Sequence, residues 1–349
     1  MSKKTTLKDV ARYAGVSYQT VSKVIRSEIQ VSPEVRARIH NAVEALDYSP
    51  NVAAQNLRTQ SSRLLGYSWQ PDQQNSLSFA LQQFQHSVVE AAEDLGYHVL
   101  LFPQRPNRDL YTTYAELVQT GRVDGFILSS VEYEDERIRI IQRLGVPVVC
   151  FGRVGDAMSS PYVDVDGQRG IALAVQHLVT LGHRRIAAVA WPESSRVGTE
   201  RLLGYYDAMH DAGLVVDADW VIRGAGESAF GYDAAQRLLN LPLDRRPTAI
   251  VTVFDLIAVG VMRAVEERGL RVGQDIAVTG FDDVPYLHYL KPGLTTLRQP
   301  IAAVGRQVVN LLVAALKDEP PLECETMLPP LLVVRQSSDP AAPPDPEAT

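Results

Sequence analysis

In the N-terminal stretch, apolar residues recur with helical spacing. Leu7, Val10, Ala11 and Ala14 fall at i, i+3, i+4 and i+7, which is one stripe of a short helix. Thr6 precedes the stripe with Asp9 three residues on, approximating a capping box, and Gly15 stops it. Ser17 is placed to cap a second helix over 18–25, with Val21, Val24 and Ile25 turned inward. Ser32, Pro33 and Glu34 signal a third, whose inner face is Val35, Ile39, Ala42, Val43 and Leu46. Two short helices joined by a tight Gly-containing turn form a helix-turn-helix unit. With the third helix they make a small all-α head over 1–49.

After residue 63 the period changes. Short apolar runs at 64–69, 99–102, 125–128, 146–151, 186–190, 249–253 and 276–280 read as strands. Between them lie amphipathic stretches at 79–95, 109–120, 134–144, 167–181, 199–213, 229–240, 255–268 and 300–316, several ending in a C-cap glycine such as Gly96, Gly145 or Gly182. Repeated βα units mean doubly wound parallel sheets, and 64–338 is too long for one, so an α/β core of two lobes is expected. Ligands of such sheets sit at the carboxyl ends of the strands, here between the lobes. Residues 50–63 form a linker in which Asn51 can cap a helix-forming run too short to be helical alone. Such a segment orders only on a partner. From Ser337 the chain turns Pro-rich and acidic, an expectation of a tail that does not pack, with 339–349 disordered.

Charge sharpens this division. The formal net charge is −7 for the 349 residues. Residues 1–60 hold nine Lys/Arg against five Asp/Glu, a balance of +4, which leaves 25 against 36, or −11, for the rest. A basic head on an acidic body is expected where one end meets a polyanion. No secretory pattern opens the chain, no run approaches a membrane span, and only Cys150 and Cys324 are present, so a reducing cytoplasm is expected. There is no nucleophile elbow, phosphate loop or zinc-protease motif, and Arg223-Gly224-Ala225-Gly226 is only half of a dinucleotide fingerprint. No catalytic residue, metal or cofactor is assigned. His177 and His183 read as structural.

On the second helix Tyr18, Gln19, Ser22 and Lys23 point outward near its start. Gln can bond bidentately to adenine and Lys to guanine O6/N7. Arg12, Thr20 and Asn51 are phosphate candidates. In the core, Asp282 and Asp283 follow a strand directly. A glycosidase pair must flank a bond, which consecutive residues do not, whereas accepting bonds from sugar hydroxyls needs one fixed carboxylate. Arg201 opens a helix and Gln299 follows the next strand-like run.

These residues carry a resemblance. Thr6-Leu7-Lys8-Asp9-Val10-Ala11-Arg12-Tyr13-Ala14-Gly15-Val16-Ser17-Tyr18-Gln19-Thr20-Val21-Ser22-Lys23-Val24 closely resembles the N-terminal signature of the lactose-repressor/galactose-repressor family of bacterial transcription regulators. Leu46-Asp47-Tyr48-Ser49-Pro50-Asn51, Gly280-Phe281-Asp282-Asp283 and Leu294-Thr295-Thr296-Leu297-Arg298-Gln299-Pro300 match further family segments, so the likeness spans about residues 5–337. It implies a periplasmic-binding-protein-like core and a homodimer on near-palindromic operator DNA. Thr6, Ser17, Tyr18, Gln19, Thr20, Ser22 and Lys23 then belong to the DNA-facing head, and Asn51, Ala54 and Leu57 to a minor-groove hinge helix with Leu57 as wedge. By motif position Arg201, Asp282 and Gln299 are effector contacts, with Ser129 and Arg153 beside them. Phe254 stands where sugar-responsive members have Asn, and offers a ring to stack on a sugar. The implied function is a repressor of carbohydrate-use genes released by a small sugar, with a purine-like corepressor as the alternative. The same double-lobed core occurs in secreted solute receptors, which lack a DNA-reading head.

Overall fold

The computed structural model describes residues 5–25, 29–48, 61–69, 79–104, 108–132, 134–155, 159–319 and 323–343. The chain divides into two units, Met1–Ser62 and Arg63–Thr349. The expected hinge contacts Asn51, Ala54 and Leu57 lie outside the described residues.

In the first unit, α1 (Leu7–Ala14), α2 (Tyr18–Ile25) and α3 (Pro33–Ala45) follow the signals that predict them. Asp9 Oδ2 accepts from Thr6 N at 3.0 Å and Thr6 Oγ1 at 2.6 Å, closing the start of α1. Gly15 ends the helix at φ 62°, a left-handed conformation that favours glycine. Ser17 Oγ accepts from Thr20 N at 3.0 Å, and Ser32 Oγ from Val35 N at 3.4 Å. Val10, Ala11, Ala14, Val21, Val24, Ile39 and Ala42 form the buried centre. Arg38 of α3 donates Nε to Ala14 O at 3.0 Å and Nη2 to Gly15 O at 2.9 Å. This side chain thereby satisfies carbonyls that the end of α1 leaves without helical partners.

The second unit holds two parallel sheets. The first is six-stranded, ordered β11-β5-β4-β3-β1-β2, from β1 (Leu64–Trp69), β2 (His98–Pro103), β3 (Gly125–Leu128), β4 (Val148–Phe151), β5 (Tyr162–Val165) and β11 (Glu325–Leu328). On one face lie α4 (Phe79–Asp94) and α11 (Ile301–Leu316), packed on Tyr67, Ile127, Val149 and Val163. Phe126, Leu128, Val148 and Cys150 face the other side, towards Tyr114 and Leu117 of α5 (Leu110–Gln119) and Ile138 and Ile141 of α6 (Glu136–Arg143). Burial pushes the Cys150 thiol up to about 12, so it is an inert core group.

The second sheet is ordered β7-β6-β8-β9, from β6 (Ile186–Ala190), β7 (Val221–Arg223), β8 (Ala249–Thr252) and β9 (Ala277–Thr279). It packs with α7 (Gly167–Thr180), α8 (Arg196–Asp211), α9 (Ser228–Leu239) and α10 (Asp255–Glu267) around one apolar core. β10 (Thr296–Arg298) and β12 (Leu331–Val333) pair antiparallel. The chain passes between lobes three times: from β5 to α7, from β10 to α11, and from β11 to β12. All strand-to-strand pairs within the two large sheets are parallel.

The end of the chain differs from the expectation of an unpacked tail beginning at Ser337. Ser337 and Ser338 are 0% and 2% exposed. Ser337 Oγ donates to Val278 O at 2.6 Å and accepts from Thr295 N at 2.8 Å, while Ser338 Oγ lies 2.8 Å from His177 Nε2. The Ser337 hydroxyl thus satisfies a carbonyl of β9 and an N–H just before β10 that would otherwise be buried without partners. Order continues to Pro343, whose carbonyl accepts from Gln336 Nε2 at 2.7 Å, so the disordered tail expected from 339 is corrected at its start. His183 Nδ1 meets Thr248 Oγ1 at 2.9 Å, joining the starts of β6 and β8.

Candidate functional site

On the head, α2 buries Val21 and Val24 and leaves Tyr18, Gln19 and Lys23 exposed, Tyr18 at 47%. An amide, an ammonium and a phenol project from one short helix, the donors and acceptors that read base edges in a major groove. Thr6 is committed to Asp9, and the Ser17 and Thr20 hydroxyls lie 2.8 Å apart at the helix start. Ser22 departs from the outward placement expected of it: it is 6% exposed. Its helical angle is outward, but so short a side chain, flanked by longer ones, does not reach the surface. Arg12 is exposed, 3.3 Å from Asp9 Oδ1.

In the core a cleft of about 680 Å³ lies between the lobes. Because both sheets are parallel, the ends of β3, β4 and β5 open into it from one lobe and those of β6, β8 and β9 from the other. Of the residues expected there, Arg153, Arg201, Phe254, Asp282 and Gln299 line it together. Ser129 does not. Its Oγ is 2.7 Å from Tyr67 Oη, it is 5% exposed, and the adjoining Ser130 takes the lining position.

Asp282 sits in the turn after β9 at φ 127°, a strained conformation for a non-glycine and a mark of functional turns. Gln299 Nε2 donates to its Oδ1 at 2.5 Å, and Arg201 Nη2 lies 3.9 Å from the same oxygen. Burial pushes its carboxyl up to about 7, against the pull of Arg201. Arg201 is itself buried, which lowers its pKa. Nη1 donates to Val253 O at 2.7 Å and the guanidinium lies 3.6 Å over the Phe281 ring, but among the described residues Nε has no hydrogen-bond partner. A buried nitrogen left open beside a carboxylate and an amide is a donor-acceptor set suited to ligand hydroxyls.

Asp283, the other half of the pair, turns away. It accepts from Arg298 Nε at 2.5 Å and Arg335 Nη1 at 2.8 Å, which outweigh the upward push of burial and hold its carboxyl below the usual range. Asp255 is fully buried, accepting from Thr296 Oγ1 at 2.6 Å and Val284 N at 3.0 Å, with burial raising it to about 6. Both fasten the strand ends that present Asp282.

Phe254 is 2% exposed, its ring 5.4 Å from that of Trp191. Sequence reasoning did not single out Trp191, Arg196, Glu200 or Asp164, all of which line the cleft. Glu200 Oε1 meets Arg153 Nη2 at 2.7 Å and Arg196 Nε at 3.0 Å. Asp164 accepts from Arg153 N at 2.9 Å, and burial raises its pKa. The spacing of Arg196 and Glu200, i and i+4 on α8, was the available signal for a face pointing one way. Among the described residues no group of three or more His, Cys, Asp or Glu is arranged to hold a metal ion. No helix among them is long and apolar enough to cross a membrane.

Comparison with known proteins adds a lineage. Residues 6–51 match the family model of bacterial regulatory proteins, lacI family, and residues 175–338 that of the periplasmic binding protein-like domain. The chain is 33% identical to the ribose operon repressor of Escherichia coli (strain K12), covering 95% of this chain and 99% of that one. It is 30% identical to the HTH-type transcriptional repressor PurR of Haemophilus influenzae (strain PittEE), covering 95% and 98% respectively. Among solved structures, the lac repressor dimer bound to operator and the anti-inducer ONPF is 30% identical, with a TM-score of 0.78 over 97% of this chain and 100% of that one. These relatives are transcriptional repressors rather than enzymes, and the fold is theirs. The chain belongs to the lacI family of bacterial regulatory proteins.

Proposed function

We propose that this protein is a cytoplasmic, homodimeric repressor of carbohydrate-use genes, released from a near-palindromic operator by a small sugar bound between its core lobes. The observation that carries the reading is the convergence of Arg201, Asp282 and Gln299 on one cleft in a chain that also bears the family's reading helix. Tyr18, Gln19 and Lys23 read base edges, Thr6, Ser17 and Thr20 hold the helix start against the backbone, and Asn51, Ala54 and Leu57 form the hinge contact, with Leu57 prying a central base step. A head of balance +4 binds weakly alone, which favours two heads acting together, and a body of −11 keeps phosphate contact to the N-terminal end.

Sugar hydroxyls are held by Asp282 and Gln299, with the buried, unpartnered Nε of Arg201 as a further donor once a ligand displaces its neighbours. Gln299 lies on the passage from β10 to α11, so ligand contact bears directly on the relative angle of the lobes. A coupling of about 1–3 kcal/mol is then enough to shift operator affinity severalfold or more.

The test is operator affinity of the full chain, on DNA selected from a random pool, with and without mono- and disaccharides. Weaker binding with a sugar supports the reading. The second reading, favoured by the likeness to the repressor PurR, is a purine-like corepressor, and there an added purine base tightens binding.

A further inference from the structure

Trp191 follows β6 directly and lines the cleft. Two glycines distant in sequence make room for it. A Cβ on Gly198, in α8, would come within 2.6 Å of the Trp191 Cβ, and a Cβ on Gly226, after β7, within 2.6 Å of its Nε1. Such approaches are closer than carbon and nitrogen tolerate, so both positions must lack a side chain while the indole stays where it is. Its backbone is fastened as well. Arg223 donates Nε to Trp191 O at 2.9 Å and Nη2 to Thr199 Oγ1 at 2.6 Å, tying the loop to α8.

The ring packs at 5.4 Å from Phe254 and 5.4 Å from the Arg201 guanidinium, yet it remains only half-buried. Among the described residues its indole N–H has no acceptor, whereas Trp220 Nε1 donates to Arg245 O at 2.8 Å. A tryptophan held this firmly, half-buried in a cleft that Arg201 and Asp282 also line, has the form of a ligand platform. Phe254, at 2% exposure, does not offer such a face.

We infer that Trp191 is the specificity-determining platform of the cleft, selecting a cyclic ligand whose ring stacks on the indole and whose oxygen accepts from Nε1–H. The inference rests on the cleft being the effector site proposed above. It makes ring form a requirement: an open-chain polyol with the same hydroxyls offers no flat face and binds weakly.

The test uses the full chain with Trp69→Phe and Trp220→Phe, leaving Trp191 as the sole tryptophan of the three. The native chain is run in parallel by thermal shift, so a folding defect in the double variant does not decide the outcome. Probes are D-glucose, D-galactose, D-ribose and cellobiose, the alditols D-glucitol, D-galactitol and ribitol, and adenine. The expected result is that a cyclic compound shifts Trp191 emission and raises the melting temperature, with its alditol at least tenfold weaker. Trp191→Leu then loses at least tenfold in affinity, Trp191→Phe regains most of it, and Gly226→Ala, which drives the indole from its slot, matches Trp191→Leu.

A sugar that binds Trp191→Leu as well as the parent overturns the platform and leaves the sugar reading standing. An alditol equal to its sugar does the same. Adenine binding with a Trp191 emission shift keeps the platform and removes the sugar reading. No response to any probe overturns both.

Discussion

Arg153, at the end of β4 in one lobe, places Nη2 2.7 Å from Oε1 of Glu200 on α8 of the other. The pair spans the cleft, and Glu200 also holds Arg196 at 3.0 Å. A single carboxylate thus anchors two cations where a ligand would sit. Because Arg153 is 38% exposed, the ion pair itself contributes no more than about 1 kcal/mol to stability. Its effect is geometric. Glu200→Gln is expected to change the melting temperature little while loosening the lobes, read as a larger radius of gyration in small-angle scattering of the unliganded chain. An unchanged radius would mean that the pair does not hold the cleft.

Asp282 makes a pH prediction. Its carboxyl is raised to about 7 by burial, against roughly 3.9 in an unfolded chain. Between those values the folded state keeps a proton that the unfolded state releases. The stability this group supplies is therefore complete below the ordinary value and lost as pH rises through about 7. Asp282→Asn removes the titration. The melting temperature of the Asn variant relative to the parent should climb from pH about 4 to about 7, then level off. A difference constant across that window would contradict the assignment. Sugar affinity of the parent should rise as pH passes through about 7, because the ionised carboxylate is the better acceptor.

The reading helix separates two neighbours. Lys23 is exposed and Ser22 is buried. Lys23→Ala should weaken selected operator DNA relative to random DNA by about 1–3 kcal/mol, measured by competition binding at fixed salt. Ser22→Ala should lose far less discrimination. Equal losses would return Ser22 to the DNA-facing set.

Gly204 tests the packing of the second lobe. A Cβ there would lie 1.9 Å from Gln168 O, so α8 and α7 touch through a position that only glycine allows. Gly204→Ala should destabilise the core by about 1–3 kcal/mol in urea unfolding followed by far-UV circular dichroism. A neutral effect would contradict the contact.

Much of this was legible in the chain. The runs at 64–69, 125–128 and 186–190 coincide with β1, β3 and β6, because strands buried on both faces read as continuous apolar runs. β7, β10 and β12 did not register. At three residues each they are too short for a period to show, and β10 and β12 pair only with residues far along the chain. β5 and β11 were missed too: β11 is the sheet's edge strand and β5 its neighbour, and Asp164 and Glu325 break their apolar runs. In the cleft, Arg201, Asp282 and Gln299 were found through motifs. Trp191 was not, since its significance depends on Gly198 and Gly226, which meet it only in the fold. The burial of Ser337 and Ser338 was hidden for a similar reason: nothing in a Ser-Ser-Asp-Pro segment announces partners at Val278 and Thr295.

On the proposed function, a sugar in the cleft governs DNA binding by the head. This is tested most directly by titrating the sugar that most raises the melting temperature into the full chain bound to its selected, fluorescently labelled operator, following anisotropy. Dose-dependent release is expected for the parent and none for Arg201→Ala at the same sugar concentrations. Operator affinity that stays constant while the sugar demonstrably binds the core would contradict that function.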